Sequence, residues 1–225
     1  MKANVKLMAS AGIKLLMGLV LVGLLLFLPA GTLHFFNGWL FMAVLFVPMF
    51  IAGVVMALCS PALLRKRLNA KEKESEQKSV VAMSGIMFIA AFVVAGFNYR
   101  YAWIVMPSWA VWSAAVLFLL SYLMYAEVLR ENAYLSRTIE VQEGQKVIDT
   151  GLYGIVRHPM YSATILLFLS MPLVLGSLPS LVIMLVYIPL IVKRIRNEEK
   201  VLVEGLEGYE AYCSRVKYRL LPFVW

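Results

Sequence analysis

The chain has little charge for its length. Of its 225 residues, 15% are charged and 62% are hydrophobic, and the mean hydropathy is +0.81. An ordinary soluble domain has about 25% charged and 45–50% apolar residues, so this composition excludes a water-soluble fold. A bundle of membrane spans, each of about 20 apolar residues, accounts for nearly the whole chain.

Cysteine and histidine are also scarce. The two cysteines, Cys59 and Cys213, and the two histidines, His34 and His158, have no spacing typical of a zinc site or a disulfide framework. The sequence has no HExxH motif. We therefore predict no metal site.

The formal net charge of +8 suggests a nucleic-acid partner at first sight. The basic residues, however, are divided among the segments between apolar runs, where they set membrane topology and contact anionic lipid. We predict contact with the lipid bilayer and no nucleic acid.

Apolar runs predict an all-α, polytopic membrane bundle of about six transmembrane helices. The first run is a retained helix rather than a signal peptide, because no small-residue cleavage site follows it. Gly176 and Ser177 separate the last two, shorter runs, which predicts a tight helical hairpin. The runs are 11–28, 39–58, 80–97, 109–129, 160–175 and 178–192.

Charge distribution predicts the orientation. With six spans, twenty of the twenty-one Lys and Arg residues fall on one side and only Arg100 falls on the other. The positive-inside rule then places both termini and the long connections in the cytoplasm. The first three spans have no ionisable residue in their central stretches, which argues against an ion pathway and leaves a small transporter as an alternative.

Polar residues concentrate after the fourth span. In the segment 141–161, Pro159 suits the first turn of a helix, so His158 and the preceding backbone amides are expected at a helix N-terminus near the membrane surface. The backbone amides at a helix N-terminus favour binding of a carboxylate or a phosphate. A small-molecule site and a simple interfacial helix start both fit this segment.

A second polar cluster follows the last span. Arg194 and Glu198 are four residues apart and share a helix face, as a binding pair or as an ordinary surface ion pair. Segment 198–215 is predicted to be one charged helix that covers the bundle mouth. The mixed-charge segment 65–78 is predicted to be a solvated connector, and 218–225 an interfacial anchor.

The C-terminal half resembles a known family. Gly151-Leu-Tyr-Gly-Ile-Val-Arg-His-Pro-Met-Tyr161, the hairpin, Arg194 with Glu198-Glu199, Tyr209-x-x-Tyr212 and a terminal Arg-Leu-Leu-Pro are similar to the isoprenylcysteine carboxyl methyltransferase family and its bacterial and archaeal relatives. These proteins also resemble phospholipid N-methyltransferases. The resemblance covers about residues 130–225 and divides the chain into N-terminal helices (1–129) and a methyltransferase core (130–225).

The resemblance implies that S-adenosylmethionine is the cofactor and that a lipophilic, isoprenylcysteine-like molecule is the methyl acceptor. It further implies that Arg194 faces the acceptor. The chain is shorter than the eukaryotic enzymes between Gln142 and Gln145, and Gln145 replaces a histidine of theirs. The cofactor-binding residues that it implies are Gln142, Gln145, Lys146, Val147, Ile148, Tyr153, His158, Pro159, Met160, Tyr161 and Glu198.

The chemistry of methyl transfer agrees with this placement. Direct displacement at a sulfonium needs alignment and desolvation more than acid–base groups or metal. A polar cofactor from the cytosol and an acceptor from the bilayer meet at the cytoplasmic membrane edge, and Arg194 could orient an acceptor carboxylate. The sequence has no GxGxxG motif of a Rossmann domain. A membrane reductase with a nicotinamide cofactor is the other enzyme that remains possible.

Overall fold

The computed structural model describes residues 2–68, 75–135 and 139–225. The middle of the predicted connector, 69–74, lies outside the described residues. The helices, in chain order, are α1 (Lys2–Ala30), α2 (Phe36–Cys59), α3 (Pro61–Leu68), α4 (Ser75–Tyr101), α5 (Ser108–Glu131), α6 (Pro159–Val174), α7 (Leu178–Met184), α8 (Tyr187–Gly205) and α9 (Tyr209–Arg215), with a 3-10 turn at Gly151–Gly154.

Within the described residues, five helical segments are long and apolar enough to cross a membrane. The remaining predicted run, 160–175, forms α6, whose 16 residues extend about 24 Å at ~1.5 Å per residue, against a hydrocarbon core of about 30 Å. These helices fit an integral, multi-pass membrane protein and confirm the predicted all-α bundle. The five segments are Lys6–Ala30, Phe36–Cys59, Lys78–Tyr101, Ser108–Glu131 and Leu178–Gly205, the last of which joins α7 and α8.

The outer surface of the bundle is apolar. Large side chains on α1, α2, α4 and α5 point outward, for example Leu28 at 70% exposure and Ile86 at 69%. A soluble monomer rarely exposes so much contiguous apolar surface, whereas lipid tails solvate it without cost. The interior is held by aromatic contacts, with Phe41 between Phe92 and Phe118 at ring-centroid distances of 5.6 and 5.8 Å.

Small residues allow α1 and α4 to approach closely. A Cβ placed on Gly96 would lie 2.5 Å from the Leu26 carbonyl oxygen and 2.9 Å from Cβ of Pro29. Backbone therefore packs against backbone at this point, as small residues permit in membrane helices. The contact ties the N-terminal helix to the rest of the bundle.

The predicted hairpin is present, and Gly176 forms its turn. Gly176 has a φ of +72°, a conformation that glycine adopts without steric cost. Its carbonyl accepts a hydrogen bond from Asn98 Nδ2 at 3.2 Å. Ser177 then caps α7, its Oγ accepting from the amide of Ser180 at 3.3 Å. The turn is thereby anchored to α4, and α8 runs back beside α6.

The prediction of one separate helix over 198–215 is wrong. α8 runs without interruption from Tyr187 in the apolar region to Gly205, and Gly208, at a φ of +82°, precedes the separate helix α9. The change from apolar to charged residues at Lys193 marks the edge of the apolar region, not the end of a helix. One rigid helix thus carries both the membrane segment and the polar cluster of Arg194 and Glu198.

Candidate functional site

A cleft lies between the helices α5, α6, α8 and α9 and the loop 139–148. Its volume is about 820 Å³, counting the space open to solvent. The side chains around it are Asn132, Tyr134, Leu135, Ile139, Glu140, Gln145, Lys146, Val147, Ile148, Tyr153, Arg157, His158, Met160, Tyr161, Arg194, Glu198, Leu202, Leu206, Tyr209 and Tyr212.

Most of the predicted site residues line this cleft, but two do not. Pro159 is buried at the first position of α6. Gln142 lies outside the lining and holds the loop together: its Nε2 donates to the Tyr134 carbonyl at 2.5 Å, and its amide donates to Oε1 of Gln145 at 2.9 Å. Both residues support the segments that line the cleft without lining it themselves.

Tyr161 joins the two polar residues of α8. Nε of Arg194 donates to the Tyr161 hydroxyl at 2.9 Å, and that hydroxyl donates to Oε2 of Glu198 at 2.5 Å. Arg194 and Glu198 lie one turn apart on α8, so a single phenol from α6 can reach both. The result is a relay of cation, phenol and carboxylate along one wall of the cleft.

Glu199, the next residue of α8, pairs with three side chains and is itself only 12% exposed. Its carboxylate contacts Arg157 Nη2 at 3.0 Å, His158 Nε2 at 3.3 Å and Arg219 Nε at 2.8 Å. A carboxylate accepts hydrogen bonds only, so the bond to His158 requires a proton on Nε2, and in a neutral ring Nδ1 is then an acceptor. The ring is thereby fixed in orientation.

The expected anion site at the backbone amides before α6 is not formed. The amide of Arg157 donates to the Tyr218 carbonyl at 2.9 Å, and the amide of His158 donates to the Arg219 carbonyl at 2.9 Å. The Ser162 hydroxyl adds a bond to the Leu220 carbonyl at 2.7 Å. These donors are used to hold the segment 218–220, so a bound anion would have to rely on side chains.

Tyr153 is held by a tight turn. Glu131 lies directly over Gly151, where an added Cβ would come within 1.5 Å of its Oε1, and its Oε2 accepts from the amide of Leu152 at 3.1 Å. Asn132 donates to the Tyr153 hydroxyl at 3.0 Å. Burial raises the pKa of the Tyr153 phenol well above its usual value, so the group stays neutral and can donate its proton toward the cleft.

α9 and the end of α8 cover the cleft. Leu206, Tyr209, Tyr212 and Val216 form a small buried cluster, against which Val141, Val147, Leu202 and Cys213 pack. The Tyr212 hydroxyl donates to the Tyr153 carbonyl at 2.8 Å. The segment that was predicted to cover the bundle mouth therefore forms a wall of the cleft.

Two buried polar atoms at the cleft lack a hydrogen-bond partner in the described part of the chain: the Tyr209 hydroxyl and Nε of Arg157. Tyr209 is 4% exposed and Arg157 is 9% exposed. Buried polar atoms are nearly always paired, so these two indicate a place for a polar molecule. Helical spacing predicted only a packing role for Tyr209, because spacing does not reveal an unpaired hydroxyl.

The described residues contain no group of three or more His, Cys, Asp or Glu side chains arranged to hold a metal ion. What the cleft offers instead is a mixture of charges. Glu140 and Glu198 line it together with Lys146, Arg157 and Arg194.

Comparison with known proteins places the similarity in this part of the chain. The sequence model of the isoprenylcysteine carboxyl methyltransferase (ICMT) family matches residues 112–204. The Delta(14)-sterol reductase TM7SF2 of Mus musculus is 33% identical over 91 residues, which are 39% of this chain and 22% of that protein. The Delta(14)-sterol reductase erg24 of Schizosaccharomyces pombe is 29% identical over 90 residues, 39% of this chain and 21% of that protein. The aligned part is therefore about a fifth of the length of these curated relatives.

Proposed function

We propose that this chain is an integral membrane methyltransferase that uses S-adenosylmethionine and methylates a lipophilic acceptor. The observation that carries the proposal is the mixed charge of the cleft, in which carboxylates and cations face one another within a partly apolar wall. The match of residues 112–204 to a methyltransferase family supports the same reaction class.

The residues around the cleft fit a zwitterionic, cationic cofactor. S-adenosylmethionine carries an ammonium, a carboxylate and a sulfonium, so its site needs both signs of charge. Glu198 and Glu140 suit the positive groups, and Lys146 suits the carboxylate. The unpaired hydroxyl of Tyr209 and Nε of Arg157 can donate to the acceptor atoms of such a molecule.

When bound, S-adenosylmethionine would supply a methyl group on a sulfonium: a lone pair of the acceptor would bond to the methyl carbon as the carbon–sulfur bond breaks, and S-adenosylhomocysteine would be the leaving group. The contribution of the chain is alignment and exclusion of water. Tyr161 fixes Arg194 and Glu198 relative to each other, and Leu202, Leu206 and Met160 line the cleft with apolar surface. In this proposal Arg194 holds an acidic acceptor by a charge-assisted hydrogen bond.

A reductase is the second candidate, and the names of the two sterol reductase relatives favour it. In that case the cleft would hold a nicotinamide dinucleotide. Such a molecule is larger and carries several phosphate charges, for which the carboxylates of Glu140 and Glu198 are poor neighbours. The mixed charge of the lining is therefore the reason to place methyl transfer first.

Calorimetric binding to the detergent-purified chain separates the two candidates. We expect saturable binding of S-adenosylhomocysteine and none of NADPH. His158→Ala and Glu198→Ala should each weaken binding about tenfold or more, because each removes a polar contact of a buried ligand. Glu204→Ala, an exposed position on the same helix, should bind like the wild type.

Circular dichroism and thermal unfolding of each variant exclude misfolding as the cause of a lost signal. Saturable NADPH binding without S-adenosylhomocysteine binding would overturn the methyltransferase proposal in favour of the reductase. Failure of the well-folded wild type to bind either compound would refute both enzymes.

A further inference from the structure

A second concave surface lies between α1, α2 and α3. It has a volume of about 1,360 Å³, counting the space open to its surroundings. The side chains along it are apolar except for two cations, Lys14 and Arg67. It is lined by Met8, Ala11, Gly12, Lys14, Leu15, Gly18, Phe46, Met49, Phe50, Gly53, Val54, Met56, Ala57, Leu64, Arg67 and Leu68; this surface is called the α1–α3 groove below.

Two glycines keep the α1–α3 groove open. A Cβ added at Gly12 on α1 or at Gly53 on α2 would have no atom of the protein within 4 Å. Glycine in the middle of a helix costs about 1 kcal/mol relative to alanine, so its presence at such points needs a reason. Space for another molecule along the apolar helix faces is such a reason.

Arg67 is one of the two cations of the groove, and two of its nitrogens are unsatisfied. Its Nε and Nη2 are buried and have no hydrogen-bond partner in the described structure, while its guanidinium lies 5.5 Å from the ring centre of Tyr125. Buried charged donors lose their hydration and are nearly always paired, and a ring contact does not replace a hydrogen bond. An anion from outside the chain would pair them.

Lys14 provides the second cation, beside the residue that follows Arg67. Its Nζ donates to the Leu68 carbonyl at 2.7 Å, which uses one of its three donors. No acidic side chain lines the described groove. Lys14 and Arg67 therefore give an otherwise apolar groove a net positive charge.

We propose that the α1–α3 groove binds one anionic phospholipid, with the headgroup phosphate at Arg67 and Lys14 and a tail along the apolar lining of α1 and α2. A zwitterionic lipid offers the same phosphate but brings a positive group next to two cations, and a soluble anion would leave the apolar lining unused. An anionic lipid matches the cations and the apolar lining at once. The groove shares no lining residue with the cleft, and the proposal does not rest on the reaction there.

The test is native mass spectrometry of the full chain in neutral detergent, titrated with phosphatidylglycerol and with phosphatidylcholine of identical tails. We expect at least tenfold tighter binding of phosphatidylglycerol. Arg67→Gln should reduce phosphatidylglycerol affinity about tenfold, the effect of losing one or two charge-assisted hydrogen bonds. Arg130→Gln, which removes an exposed charge that is paired with Glu127, should leave the affinity unchanged.

Gly53→Leu tests whether a tail occupies the groove. A Cβ at this position meets no protein atom within 4 Å, and leucine raises helix propensity, so the chain should remain folded while the added side chain takes up room in the groove and phosphatidylglycerol binding falls. Gly85→Leu on α4 is the matched control, since it is exposed, also meets no atom within 4 Å and lies outside the groove. It should bind lipid like the wild type.

Equal affinity for the two lipids, or unchanged binding in both Arg67→Gln and Gly53→Leu, would overturn the proposal. A third titration uses inorganic phosphate as competitor. If millimolar phosphate displaces the lipid completely, or itself protects the chain from thermal unfolding as well as phosphatidylglycerol does, the site is one for a soluble anion and the lipid proposal is wrong. If Arg67→Gln fails to fold, the paired Gly53→Leu and Gly85→Leu titrations decide by themselves.

Discussion

At the scale of single residues, the Tyr161 hydroxyl joins α6 to α8, because it bridges Arg194 and Glu198. We expect Tyr161→Phe to keep the ring packing but to remove the hydrogen bonds of this hydroxyl to both side chains. Losing these buried hydrogen bonds should weaken S-adenosylhomocysteine binding about tenfold in calorimetry.

Tyr187→Phe is the control for that prediction. It removes a hydroxyl that donates to Oγ1 of Thr164 at 3.0 Å, also between α6 and α8, but Tyr187 does not line the cleft. Its effect should appear in thermal unfolding and not in ligand binding. Equal loss of binding in the two variants would contradict a specific role for Tyr161.

Gly151 provides a second test at this scale. We expect Gly151→Ala to destabilise the fold by about 1–3 kcal/mol, because its Cβ would collide with the Glu131 carboxylate. Denaturant unfolding in detergent measures the change. Glu131→Ala removes the obstacle, so the double variant should lose less stability than the sum of the two single variants. Additive losses would show that the collision is not the cause.

The sequence predicted many of the residues around the cleft but not the way they are connected. The motif 151–161 and the spacing of Arg194 and Glu198 indicated a site, and those side chains do come together. The roles of Glu199 and Tyr209 were missed. Glu199 depends on Arg219, twenty residues away along the chain, and the unpaired hydroxyl of Tyr209 becomes visible only when every neighbour is placed.

At the scale of elements, the contact between α1 and α4 depends on Gly96. We expect Gly96→Ala to lower the thermal unfolding temperature, since the new Cβ would meet the backbone of α1 at 2.5 Å and backbone atoms cannot move aside easily. Gly85→Ala on the same helix adds the same atom in open space and should be neutral or slightly stabilising. A similar loss in both variants would mean that helix propensity, not close packing, is responsible.

The helices were predictable because long apolar runs leave the chain no other way to satisfy its backbone in lipid. The hairpin turn was also predictable, because Gly176 and Ser177 interrupt two apolar runs and glycine marks turns locally in a sequence. The boundary at residue 192 was not predictable, since a helix that leaves an apolar region keeps its backbone hydrogen bonds while its side chains change character. α8 shows this at Lys193, which continues the helix.

At the scale of the whole molecule, six crossings would put both termini on the same side of the membrane, and the short helix α6 would have to cross. We expect a cysteine at Leu33, in the loop after α1, to react with a membrane-impermeant maleimide from the side opposite to a cysteine at Lys217. Cys59 and Cys213 are first replaced by serine. Labelling of both positions from the same side would contradict the six-crossing topology.

The main-chain pairing of Arg157 and His158 with Tyr218 and Arg219 has a consequence for biosynthesis. Synthesis runs from the N-terminus, so the apolar helices are made before residues 218–220 exist. The segment that carries His158 can take its final place only after those residues have been made and have folded back. Synthesis of the helices and completion of the cleft are therefore separate events in time, and a chain that stops before residue 218 would leave the amides of Arg157 and His158 without these partners.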